Sequence, residues 1–234
     1  MALRNARSVT VRRISYGPCD GPPVVLLHGL ARTHRAMRPM ARYLARQGYA
    51  VVNLDYPSTR HPVAVLTAAV QQELRRHPAL QTPVHFVTHS LGGILVRQLA
   101  RNIGSPAMGR VVMLAPPNHG SEIVDALGDG FLFRWINGPA GQELGTDAAS
   151  LPKALGSAGF DCGVIAGTRC RDPVCGPYIP LPSDGKVSVE ATRLAGMSDH
   201  IRLSLGHTTI MRSRRTQAQT AHFLANGHFR RLPS

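Results

Sequence analysis

The run V-T-H-S-L-G-G puts Ser90 between an apolar stretch and the helix-forming L-G-G-I-L-V-R-Q-L-A-R. A serine on a strand-to-helix turn presents its hydroxyl above a sheet, where the next backbone N–H and the helix N-terminus favour developing negative charge. Such a turn is tight and needs small neighbours. Gly92 and Gly93 supply them on one side, whereas Thr88 occupies the position that carries glycine in the usual G-x-S-x-G pattern. A β-branched residue there crowds the turn. The plain alternative is a serine that caps a helix.

A second chemistry-bearing turn is His28-Gly29-Leu30, at the end of P-P-V-V-L-L. A glycine lets the chain turn so that the Leu30 N–H points above Ser90. With the Leu91 N–H it would form a two-pronged oxyanion hole, each prong lowering a barrier by about 3 kcal/mol. A hydroxyl nucleophile also needs a base, and the base needs an orienting carboxylate. His207 follows the last apolar stretch, and Asp184 lies before it in P-S-D-G-K-V. The order Ser90, Asp184, His207 suits a nucleophile elbow. Singly, each has a bland reading, because the chain has 11 histidines and D-G is an ordinary turn pair.

Rivals separate by position. Asp199 starts the strand that runs toward His207, roughly 26 Å away at about 3.3 Å per residue, so it lies at the opposite sheet edge. Asp55 precedes the serine and reads as a turn or packing residue. His119 follows a strand at the productive edge and is the alternative base. His85 and His89 share a strand face without a carboxylate partner, which argues against a metal site. Neither G-x-G-x-x-G nor G-x-x-x-x-G-K-[ST] occurs, so no nucleotide cofactor is expected.

These residues need a frame. Apolar runs predict strands at P-P-V-V-L-L-H-G, Y-A-V-V-N-L-D-Y-P, P-V-H-F-V-T-H, G-R-V-V-M-L-A-P-P, F-D-C-G-V-I-A-G-T and H-I-R-L-S-L-G-H, with V-T-V-R-R-I-S-Y as a further antiparallel edge. Between them, Met37, Met40, Ala41 and Leu44 recur at helical spacing, and further helices are expected over roughly 63–76, after Ser90, and at about 216–225. Strand–helix alternation means a mostly parallel sheet covered on both faces, with chemistry collected at the carboxyl ends of the strands. No repeat interrupts the pattern, so residues 1–234 are read as one domain.

Composition narrows the classes. Hydrophobic residues make up 43% and charged residues 17%, an ordinary globular balance. The formal charge of +14 invites a nucleic-acid reading. The arginines are dispersed, however, with Arg212, Arg214 and Arg215 the tightest cluster, and no aromatics interleave as a stacking platform would need. No specific nucleic-acid partner is expected, and a weak attraction to anionic surfaces stays open. The four cysteines suggest no disulfide framework; Cys170 and Cys175 could bridge locally, but free thiols are the expectation. No signal segment or membrane span is apparent, giving a cytoplasmic expectation.

Taken together, L-L-H-G-L, V-T-H-S-L-G-G, A-P-P-N-H-G-S, S-D-G-K-V-S-V-E-A-T-R-L and G-H-T-T-I-M resemble the α/β-hydrolase superfamily, in particular compact bacterial lipases and lipase-like esterases. The resemblance spans Val24 to Leu224. It implies a three-layer α/β fold with a mostly parallel central sheet and a small lid-like segment around 118–158. It further implies Ser90 as nucleophile, His207 as general base, Asp184 as its orienter, Leu30 and Leu91 as oxyanion donors, and no cofactor or metal. The implied substrate is a small-molecule ester or lipid. Phe131, Phe133 and Trp135 would line a greasy acyl site beside His28 and Gly29, or else pack as an ordinary buried helix. A thioesterase, an acyltransferase, or a non-catalytic lipid- or protein-binding protein of the same fold would share these features. Oligomeric state is not legible.

Overall fold

A computed structural model describes residues 9–77, 83–103, 108–127, 138–170 and 176–231. Its centre is a seven-stranded sheet in the order β1-β3-β2-β4-β5-β6-β7. The strands are β1 Arg12–Tyr16, β2 Pro23–Leu27, β3 Ala50–Asp55, β4 Val84–His89, β5 Met108–Leu114, β6 Cys162–Gly167 and β7 Asp199–Leu203. β1 is antiparallel to β3, and every other pairing is parallel.

The inner strands β2 to β6 are largely apolar on both sides because both faces are covered, whereas the edge strands β1 and β7 carry exposed polar residues. Val24, Leu26, Val51, Val87, Val112 and Ile165 pack on one face, while Val25, Leu27, Val52, Phe86, Val111 and Val164 pack on the other. Helix α1 (His34–Arg46) lays Met37, Met40, Ala41 and Leu44 on the first face. Helices α2 (Val63–Arg75) and α3 (Leu91–Ile103) cover the second through Leu66, Val70, Ile94, Leu95 and Leu99. Each such buried side chain contributes about 1.5–3 kcal/mol. Two short helices follow, α4 (Glu122–Leu127) and α5 (Leu151–Ala154). Helix α6 (Arg214–Asn226) returns to the first face, burying Phe223 and Leu224.

The chain leaves β2 for α1 on one face and leaves the neighbouring β4 for α3 on the opposite face. Divergence of two adjacent connections opens a crevice beyond their carboxyl ends. Gly29 and Ser90 sit there. β7 ends at Leu203 instead of running on toward His207, because the Leu205 N–H turns back onto the Leu203 carbonyl at 2.7 Å.

The flanks of the 118–158 segment are anchored. Ile123, Ala140, Leu144 and Leu155 are buried, and the Ser121 N–H donates to the Leu144 carbonyl at 2.9 Å. Arg97 of α3 is buried, with no carboxylate partner among the described residues. Its guanidinium donates to the carbonyls of Asn118, Pro152 and Gly156 and to the Asn118 side chain at 2.7–3.2 Å. Burial pushes its pKa down to about 10, which leaves it a cation at neutral pH. Phe131, Phe133 and Trp135 lie outside the described residues.

Candidate functional site

Ser90 has φ +50°, a left-handed conformation that is uncommon for a residue with a side chain. Such strain costs on the order of 1–3 kcal/mol and persists only where the surroundings enforce it. Here the Ser90 N–H donates to the Leu114 carbonyl at 3.0 Å, and its own carbonyl accepts from the Gly93 N–H at 2.8 Å. The glycines are obligatory at this turn. A Cβ on Gly92 would stand 2.6 Å from the Leu27 carbonyl oxygen, and one on Gly93 would stand 2.8 Å from Pro116.

Thr88 fits the turn despite its branch. It is fully buried and pairs in register with Leu27 on one side and Met113 on the other. Its hydroxyl faces Gly93, where a Cβ would stand 3.6 Å from the Thr88 Oγ1, an ordinary contact. That hydroxyl has no hydrogen-bond partner among the described residues.

The loop after β2 closes on the serine. A Cβ on Gly29 would lie 3.1 Å from the Ser90 Cβ. Neither the Leu30 nor the Leu91 N–H meets an acceptor among the described residues. His28 holds this loop from below and is fully buried. Its Nε2 accepts from the Tyr56 N–H at 3.3 Å, so Nδ1 carries the proton and donates to the Gly29 carbonyl at 2.9 Å. Burial pushes the imidazole down to about 4, so the ring is neutral. The His28 ring stacks on Tyr56 with centroids 4.0 Å apart, and the Tyr56 hydroxyl donates to the His28 carbonyl. Both ring nitrogens are thereby committed to shaping the loop.

His207 and Asp184 form a direct pair: the His207 Nδ1–H donates to Asp184 Oδ2 at 2.7 Å. The other carboxylate oxygen accepts the backbone N–H groups of Lys186 and Val187 at 2.9 and 2.8 Å. The Asp184 carbonyl accepts the His207 N–H at 3.0 Å, so backbone and side chain are both fixed. Gly167, the last residue of β6, makes room for the acid, because a Cβ there would lie 2.7 Å from the Asp184 Cβ.

His89, the residue before Ser90, touches the same histidine. Its ring is buried, and burial, with His207 beside it, pushes its pKa well below the ordinary value. The neutral ring therefore donates Nε2–H to the His207 carbonyl at 3.0 Å, with the two ring centroids 4.8 Å apart. In the sequence His89 was legible only as a face-mate of His85. Its role depends on a contact between residues 118 positions apart.

The remaining candidates fall elsewhere. His119 is exposed on a turn, its N–H donating to the Ala191 carbonyl at 3.0 Å. Asp55 accepts the first N–H of α1, from His34, at 3.0 Å, and lies 3.3 Å from the His34 ring. Burial alone would raise its pKa, but the contacts with His34 outweigh it and hold the carboxylate low. Asp199, at the opposite edge, accepts the Phe229 N–H at 2.8 Å. His85 Nδ1 accepts the Arg110 N–H at 2.8 Å. Among the described residues no group of three or more His, Cys, Asp or Glu could hold a metal ion. Cys175 lies outside the described residues, and with it the Cys170–Cys175 bridge. No described helix is long and apolar enough to cross a membrane.

A cavity of about 750 Å³ opens beside Ala31, immediately after Leu30, lined by Val9, Arg32, Tyr56, Pro57 and Arg60 among others. Its size is that of a small-molecule site.

The profile of the Alpha/beta hydrolase family matches residues 24–223. Among solved structures, the chain is similar to a Bacillus licheniformis lipase, BlEst2, in its mature form. The identity is 19% and the TM-score 0.74, covering 92% of this chain and 98% of that one. The phospholipase PlaB from Legionella pneumophila is also similar, at 19% identity and TM-score 0.71, with 86% of this chain and 59% of that one covered. So is an esterase, RhEst1, from Rhodococcus, at 13% identity and TM-score 0.62, with 94% and 96% covered. The chain has no sequence match among the curated proteins.

Proposed function

Because the chain belongs to the alpha/beta hydrolase family, we propose that it is a serine-dependent carboxylic-ester hydrolase with Ser90 as nucleophile. The observation that carries this reading is the Asp184–His207 pair, held against the residue that precedes Ser90.

The Asp184 carboxylate accepts the Nδ1 proton, which leaves the Nε2 lone pair of His207 as the base. Ser90 Oγ attacks the ester carbonyl while His207 Nε2 takes the hydroxyl proton. The carbonyl oxygen becomes an oxyanion that faces the Leu30 and Leu91 N–H groups, each worth about 3 kcal/mol. Collapse of the adduct breaks the bond to the alcohol, which leaves with the proton from His207. Water, deprotonated by the same imidazole, then attacks the acyl-serine and releases the acid.

The cavity beside Ala31 would give space for one arm of the substrate. Gly138 packs so closely on the 56–61 loop that a Cβ there would collide with the Thr59 carbonyl. A small ester or lipid with an apolar acyl group is the substrate class we favour.

The test is hydrolysis of p-nitrophenyl butyrate and palmitate by the full chain, with Ser90→Ala as control and a fluorophosphonate probe for the nucleophile. Turnover and labelling that vanish in Ser90→Ala support the reading. Folded protein that neither labels nor turns over either ester overturns it in favour of a binding protein.

A further inference from the structure

Outside the Ser90 crevice, the α1–α6 face carries a pocket of about 310 Å³ into which five arginines converge: Arg38, Arg42, Arg46, Arg212 and Arg214. The first three recur every four residues along α1, so they share one side of that helix. The other two come from the turn before α6 and from its first residue. Neither helix contains an aspartate or glutamate. None of the five arginines has an ion-pair partner among the described residues.

Like charges one helical turn apart repel, and a concave site sharpens their field. The N-terminus of α6 adds to it. Ser213 makes no side-chain cap there, and no acidic residue lies in the first turn. Uncapped N–H groups and the positive end of the helix dipole favour an anion at that place. Buried Gln217 completes the wall, its side-chain amide donating to the Arg212 carbonyl at 3.3 Å.

We propose that this pocket binds phosphate groups, with the guanidinium forks as bidentate donors and the α6 N-terminus as a further contact. The site stands apart from the proposed esterase chemistry and does not depend on it. Free phosphate esters and the headgroups of an anionic lipid surface present the same chemistry.

The experiment uses the full chain and the double variant Arg42→Gln/Arg212→Gln, whose altered side chains are exposed. Thermal melting is followed in low-salt buffer with sodium pyrophosphate and with sodium chloride at matched ionic strength. Co-sedimentation is measured with phosphatidylglycerol–phosphatidylcholine vesicles and with pure phosphatidylcholine vesicles. Pyrophosphate should raise the Tm of the native chain, sodium chloride should not, and the double variant should weaken the apparent affinity by at least about tenfold. A shift without vesicle binding assigns the site to soluble phosphates. Variant-sensitive binding to the anionic vesicles, without a pyrophosphate shift, assigns it to lipid headgroups. Equal behaviour of the two proteins, or no response to either probe, overturns the proposal. Ester turnover without added anion should be the same in both proteins.

Discussion

The His89 ring and the His207 backbone carbonyl are joined by a hydrogen bond of 3.0 Å, which ties the strand end that carries Ser90 to the loop that carries the imidazole. The two segments come from opposite sides of β5 and β6 in the sheet, so nothing in either strand's own pairing fixes their separation. In the proposed mechanism the placing of Ser90 against His207 would rest in part on this side chain.

His89→Ala should lower kcat by roughly 10–100-fold with little change in KM, the scale of loss expected when reacting groups shift by about 1 Å. His89→Gln, which restores a side-chain N–H donor, should recover part of the loss. Steady-state kinetics on a soluble p-nitrophenyl ester decide it. An unchanged kcat in folded His89→Ala would remove His89 from the positioning role.

Asp184→Asn keeps the shape of the acid loop but removes the charge that holds Nδ1–H of His207. An amide can present its NH2 to the imidazole and favour the wrong tautomer. In serine hydrolases of this design such a change costs roughly 10⁴ in kcat. The circular dichroism spectrum should be unaltered while burst-phase acylation disappears. Near-native turnover would assign the orienting carboxylate to another residue.

The strands and the polarity of the crevice were legible because each strand is a short apolar run bounded by a turn, and the chemistry follows the runs. Ser90 and His207 were singled out for that reason, whereas Asp184, in an ordinary D-G turn, stood out mainly through the resemblance of its segment. Gly167 and His89 were not, since their value lies in contacts across the sheet: a missing Cβ that admits Asp184, and a ring that reaches a distant carbonyl. The basic pocket was legible only in halves. Arg212 and Arg214 stood out as part of a local cluster, but the α1 arginines counted only among the dispersed ones until packing set α1 beside the start of α6. Thr88 looked like a defect of the turn; that its branch fits between Leu27 and Met113 is a property of packing.

Thr88→Val tests that accommodation. Valine keeps the branched shape and removes a buried hydroxyl that has no partner among the described residues. Exchanging such a group for an isosteric apolar one is neutral to stabilising, by up to about 1 kcal/mol. Tm should hold or rise, and Ser90-dependent turnover should persist. A clear fall in Tm would mean that the hydroxyl has a bonding role.

Acid should weaken the fold before the carboxylates titrate. Burial pushes His28 down to about 4 and holds His89 well below its ordinary value, whereas both imidazoles titrate near 6.5 in the unfolded chain. Below about pH 6.5 the unfolded chain therefore binds protons that the native chain refuses, and stability falls as pH falls. The loss from His28 alone accumulates down to its folded value near 4 and amounts to about 3 kcal/mol. Urea unfolding between about pH 6.5 and about pH 5 should show stability dropping, with His28 alone contributing about 1 kcal/mol per pH unit. His28→Gln removes one of them, so its slope should be shallower by about that amount even though the variant is less stable throughout. A native slope near zero, or one that His28→Gln leaves unchanged, would show that the His28 ring is charged in the folded protein, and the neutral ring beneath the Gly29 carbonyl would have to be abandoned.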